Sequence, residues 1–97
     1  RQMGATPSGE LTRWPDGTRI RIGGIVVARQ QPPTANGIAF LAIEDEHGIV
    51  NVVLHAEVVQ AYRRAVMQRF VLVEGKIQRD GAAMSVIGSK VIPLAPG

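Results

Sequence analysis

With 97 residues, 45% of them hydrophobic and 20% charged, the chain has the length and composition of one globular domain with a single modest core, and it is too apolar for intrinsic disorder. It has no cysteine, which excludes disulfides and thiolate metal sites and is compatible with a reducing compartment such as the cytoplasm. Eleven Lys and Arg against eight Asp and Glu leave a net charge of +3, which permits a polyanionic partner without demanding one.

Residues 1–16 are polar and punctuated by Pro7, Gly9 and Pro15. They are expected to form a flexible N-terminal linker whose end Leu11 and Trp14 anchor. The chain starts on Arg1 and not on Met, so it is expected to be a piece of something longer, and its opening lacks the apolar core of a signal peptide. No later apolar run approaches the roughly 20 residues of a membrane span, so no membrane association is expected. A turn, WPDGT, leads into a long β-branched strand from Arg19 to Gln30. Gly23 and Gly24 in its middle predict a sharp bend or bulge that lets one strand serve two sheets.

QPPTANG, residues 31–37, is a loop by its two prolines and its Asn-Gly pair. Residues 38–54 read as a hairpin. Ala39, Leu41 and Ile43 share one face and Ile38, Phe40, Ala42 and Glu44 the other, until the turn Glu-Asp-Glu-His-Gly. On the return strand Val50, Val52 and Leu54 face one way and Asn51 the other, so Phe40 and Asn51 are expected to look out from one sheet surface. From His55 to Met67 the period changes to about 3.6, which predicts one helix with Val58, Val59, Tyr62, Ala65 and Val66 along its apolar stripe. RFVLVEGKIQR and AAMSVIGSKVI, separated by Asp80-Gly81, are the last two strands.

The order β-β-β-α-β-β predicts an all-β fold: a five-stranded Greek-key barrel of the OB type over residues 17–94, with one α-helix between strands 3 and 4 and a short tail at 95–97. An SH3-like barrel is the nearest alternative, and it more usually lacks a helix of this length at that place.

Within this frame, VARQQPPTANGIAFLAIEDEHGIVNVVL, from Val27 to Leu54, resembles the OB module shared by the anticodon-binding domains of class II aminoacyl-tRNA synthetases and by bacterial C-family DNA polymerase III alpha subunits. The shared features are Arg29 ending strand 1, Gly37 in the loop, FLAIED from Phe40 to Asp45, and GIVNVV from Gly48 to Val53. Tyr62-Arg63, LVEGKIQRDG from Leu72 to Gly81, the opening PDGTRIRIGGIVVARQQP and the Pro33-Thr34-Ala35 loop are similar to the error-prone alpha-subunit homologue of damage-tolerant synthesis. The resemblance implies a module that is not itself an enzyme, belongs to a DNA polymerase whose catalytic carboxylates lie elsewhere, and holds single-stranded template DNA. It implies cytoplasmic localisation and no cofactor. The expected partners are single-stranded DNA, bound weakly and in a salt-sensitive way, and the remaining domains of the parent polymerase, with the isolated domain a monomer. Alternatives are a spacer that packs against other polymerase domains, and an anticodon-binding domain.

In the synthetase relatives the position matching Phe40 stacks on a nucleobase, that matching Asn51 bonds base edges, and that matching Arg29 contacts the strand. The residue chemistry agrees. An exposed phenyl ring stacks on any base, a guanidinium pairs with phosphate, and a carboxamide both donates and accepts. The plainer alternatives are a Phe40 packed inward or on a neighbouring domain, an Arg29 solvated or paired with Glu44, and an Asn51 that is an ordinary strand residue. Lys76, Gln78 and Arg79 near the last turn, with Gln30 and Gln31 on the other loop, are expected to frame a groove, and Arg19 and Lys90 are weaker candidates. Glu44, Asp45, Glu46 and His47 do not form a metal or acid–base set, because consecutive residues on a strand point apart and turns select these types. His55 is expected to cap the helix or to lie at the surface.

Overall fold

The computed structural model describes residues 5–94. Five strands, β1 (Arg19–Gln30), β2 (Ala39–Asp45), β3 (Gly48–Leu54), β4 (Phe70–Asp80) and β5 (Ala83–Pro93), close into one all-β barrel in the order β1-β2-β3-β5-β4. This agrees with the expected OB architecture. Closure leaves no unpaired sheet edge among these strands. Every neighbouring pair is antiparallel except β3 and β5, which run parallel and meet over a short seam, Val52 opposite Val86 and Val53 opposite Ile87.

The alternation in the sequence sets what lies inside. Ile20 and Ile22 of β1, Ala39, Leu41 and Ile43 of β2, Val50, Val52 and Leu54 of β3, Val71, Val73 and Ile77 of β4, and Val86 and Val91 of β5 fill the interior. Burying each of these Val, Ile or Leu side chains stabilises the fold by roughly 1.5–3 kcal/mol.

Strand β1 does serve two neighbours, pairing with β4 from Arg19 to Ile25 and with β2 from Ile25 to Gln30. Gly24 sits at the handover, where a Cβ would run into the backbone carbonyl of Glu44, so only glycine lets the strands come this close. The register slip itself lies further along, between Val26 and Ala28, which makes Val27 the extra residue of a bulge.

Between β3 and β4 the expected single helix is two short ones, α1 (Ala56–Ala61) and α2 (Arg63–Val66). Tyr62 interrupts them with φ −118° and ψ 33°, outside the helical region. The apolar stripe survives the break: Ala65 and Val66 are buried in the core and Val58, Val59 and Tyr62 pack against it. His55 precedes α1, exposed and without a side-chain capping bond.

The N-terminal stretch corrects the expectation of a flexible linker from residue 5 onward. The Thr6 amide donates to the Arg21 carbonyl at 2.6 Å, and a 3-10 helix, Ser8–Arg13, delivers Leu11 fully buried into the core. Arg79 clamps the same arm, its guanidinium donating to the carbonyls of Leu11 (2.8 Å) and Trp14 (2.6 and 3.0 Å) and its amide to Asp16 Oδ1 (2.7 Å). The reason is packing: Leu11 closes the barrel end at the β2–β3 and β4–β5 turns, while the helices close the other. Ala5 and Leu94 converge on Leu72 over Gly23, so Leu72 is buried although it points out of the barrel. Residues 1–4 and the expected tail at 95–97 lie outside the described residues.

Candidate functional site

The outer surface of β2 and β3 carries the expected pair. Phe40 lies opposite Val53, and Ala42 opposite Asn51, with Asn51 exposed and Phe40 40% exposed. On the other side of β2, the end of β1 places Gln30 opposite Phe40 and Ala28 opposite Ala42. Together with Ser85 of β5 these residues line a shallow groove of about 280 Å³. Its chemistry is one aromatic ring, two carboxamides and a hydroxyl. The one charged side chain on this outer surface of β2, β3 and the end of β1, among the described residues, is Glu44, opposite Ile49.

Arg29 is not part of this surface. It lies opposite Leu41, a core residue, so it faces the other side of the sheet from Phe40. Its Nε donates to the Val66 carbonyl (2.9 Å) and its Nη2 to the Gln68 carbonyl (3.1 Å), which ties down the C-terminal end of α2. The bulge is the cause: an unbulged ladder would set Arg29 opposite Phe40, and the extra residue at Val27 puts Gln30 there instead.

The other proposed residues divide similarly. Gln31 Nε2 donates to the Gly37 carbonyl at 3.0 Å and braces the β1–β2 loop, where Gly37 holds a φ of +86°. Arg79 is committed to the N-terminal arm. Gln78 and Lys76 are exposed on β4, Gln78 opposite Ser85 at the border of the groove and Lys76 opposite Ile87 on one side and Arg19 on the other. Sequence reasoning missed Ser85. Alternation in β5 puts it outward with Ile87, and only the β3–β5 pairing brings it beside Asn51.

The acidic turn has a structural task. Asp45 accepts hydrogen bonds from the Ser8 amide (2.7 Å) and hydroxyl (2.6 Å), and from the amides of His47 (2.8 Å) and Gly48 (3.1 Å). Burial pushes its pKa up, but the Ser8 hydroxyl, then the amides of Ser8, His47 and Gly48, outweigh it and hold the carboxyl below its ordinary value. Among the described residues no group of three or more His, Cys, Asp or Glu is placed to hold a metal ion, and no helix is long and apolar enough to cross a membrane.

Comparison with known proteins agrees with this geometry. A family model described as an OB-fold nucleic acid binding domain matches residues 20–94. The error-prone DNA polymerase of Bdellovibrio bacteriovorus is 36% identical over 88 residues, 90% of this chain and 8% of that protein. The error-prone DNA polymerase of Pseudomonas aeruginosa is 40% identical over 90 residues, 92% of this chain and 9% of that protein. The chain therefore spans less than a tenth of the length of these curated relatives. Among solved structures, asparaginyl-tRNA synthetase from Pyrococcus horikoshii complexed with asparaginyl-adenylate superposes with a TM-score of 0.78 and 25% identity, over 96% of this chain and 23% of that one.

Proposed function

Because the chain belongs to the family of OB-fold nucleic-acid-binding domains, matched across residues 20–94, we propose that it is the module with which a larger bacterial DNA polymerase holds single-stranded template DNA. Relatives named error-prone DNA polymerase support that parent, and on this reading the polymerisation chemistry belongs to other parts of it, since the chain spans under a tenth of each relative. With that parent the chain works in the cytoplasm.

The groove carries the reading. Phe40 presents a ring face to a base, a contact worth about 1–3 kcal/mol and tolerant of base identity. Asn51 and Gln30 each offer a donor and an acceptor beside it, and Ser85 a rotatable hydroxyl, so any exposed base edge finds a partner. A template-holding site needs that tolerance. One ring supports weak binding, because strong single-strand binders combine several stacking platforms with a charged groove.

Titration of the isotopically labelled chain with a short oligothymidylate tests this. Amides at Gln30, Phe40, Asn51 and Ser85 shift, and Phe40→Ala lowers affinity by about 5- to 150-fold, the equivalent of the stacking energy. Groove amides that stay still at millimolar oligonucleotide sink the proposal. Likeness to the synthetase structure supports a second reading, anticodon recognition; a tRNA anticodon stem-loop that outcompetes DNA for the same groove favours it. A spacer that touches only other domains leaves the groove silent to both.

A further inference from the structure

Four of the six Lys and Arg side chains in the strands lie together on a different face from the ring. On the outer surface of β1, β4 and β5, Arg19 lies opposite Lys76, which lies opposite Ile87. One step along, Arg21 lies opposite Glu74, which lies opposite Lys90. Four cations thus share these two rungs with one carboxylate, and the next acid on the outer side of β4, Asp80, lies two outward positions beyond Lys76, opposite Ala83. Glu74 is engaged by Arg21 at 3.1 Å. Among the described residues no carboxylate pairs with Arg19 or Lys76, although they face each other across the ladder, where like charges repel at Cβ separations of about 4.5–5.5 Å. An anion between them would relieve that repulsion.

The two faces are contiguous through β5. Ser85 lines the groove, Gln78 stands opposite it on β4, and Lys76 is the next outward residue of β4, about 7 Å further along the strand. We propose that the β1–β4–β5 face is a second, sequence-independent contact for a phosphodiester backbone, over which a strand leaving the groove crosses β5 and runs onto Lys76, Arg19 and Lys90. The inference rests on the reading of the groove as a nucleic-acid site. It assigns the two halves of binding to separate surfaces: base contact to a groove without cations, and phosphate contact, with its salt dependence, to the far side of β5.

The test compares oligothymidylates of about four and about sixteen nucleotides, the range of site sizes on one OB fold. The short one shifts amides at Phe40, Asn51 and Ser85 only, and the long one also shifts Arg19, Lys76 and Lys90. In the variant combining R19Q, K76Q and K90Q, the slope of log affinity against log salt for the long strand falls by about 2, at about 0.7 for each phosphate contact on a single strand. Phe40→Ala lowers affinity and leaves that slope in place. A melting temperature of the triple variant at or above that of the parent chain separates lost contacts from lost fold, and where it is lower the shifts in the unaltered chain decide. A long strand that leaves the amides of this face unmoved overturns the inference whatever the groove does; an acidic protein surface as the true occupant gives that result. Shifts on this face with a silent groove uphold the phosphate contact and overturn the groove reading.

Discussion

Asp45 bonds two amides of its own turn and, through Ser8, a segment 37 residues away in sequence. Its folded pKa lies below the ordinary 3.8 because those bonds outweigh its burial. A depressed carboxylate stabilises the fold fully above the unfolded pKa, and that stabilisation is lost as pH falls through the lower, folded one. Asp45→Asn is therefore expected to cost about 1 kcal/mol at neutral pH in urea unfolding, and to weaken the acid-side loss of stability that the parent chain shows below about pH 4. Turn chemistry made the local half of this residue legible in the sequence, while Ser8 was not. Arg29 and Arg79 teach the same lesson in reverse: both look like phosphate ligands, and both donate to backbone carbonyls of packed neighbours. A cation's partner is set by register and by distant segments, which alternation along one strand does not encode.

At the scale of elements, the N-terminal arm is the part that composition misdescribed. Pro, Gly and Ser gave it the look of a linker, yet one apolar residue, Leu11, is fully buried and hydrogen bonds on both sides of it hold the arm to the barrel. Leu11→Ala should lower stability by about 2–4 kcal/mol in chemical denaturation, a core-cavity effect, while the same change at a true linker position is near neutral. The hairpin β2–β3 was legible almost residue by residue, because period-two alternation and a Gly48 turn overdetermine it. The helix was legible as an apolar stripe. Its break at Tyr62 was not, since neither Pro nor Gly marks the place.

The barrel as a whole closes through its shortest ladder. The β3–β5 seam is parallel, the slightly weaker arrangement, and the groove lies across it, lined by Asn51, Val52 and Val53 on one side and Ser85 on the other. Backbone amides in this seam are expected to exchange with solvent faster than those in the long β4–β5 and β1–β4 ladders, and a bound oligothymidylate should slow them selectively, as measured by hydrogen exchange. Uniform exchange around the barrel, or protection that ligand leaves unchanged, contradicts this. Five strands, their order along the chain and the resemblance to polymerase and synthetase OB modules were readable from the sequence. The placement of β5 between β3 and β4 puts Ser85 in the groove and makes the cationic face continuous with it. It follows from closure of the sheet, a global constraint with no local signature.

The bulge at Val27 makes strand register, and not side-chain identity, the variable that decides what faces the groove. Deleting Val27 would leave Arg29 opposite Leu41. Flattening the bulge with Val27 kept in the ladder would slide the rest of β1 by one position, move Arg29 out opposite Phe40 and turn Gln30 inward, exchanging a neutral groove for a charged one. The same event would strip the carbonyls of Val66 and Gln68 of their guanidinium and loosen the end of α2. A charged groove in this barrel thus requires a one-residue slip of β1 against β2, and that slip carries its own structural penalty.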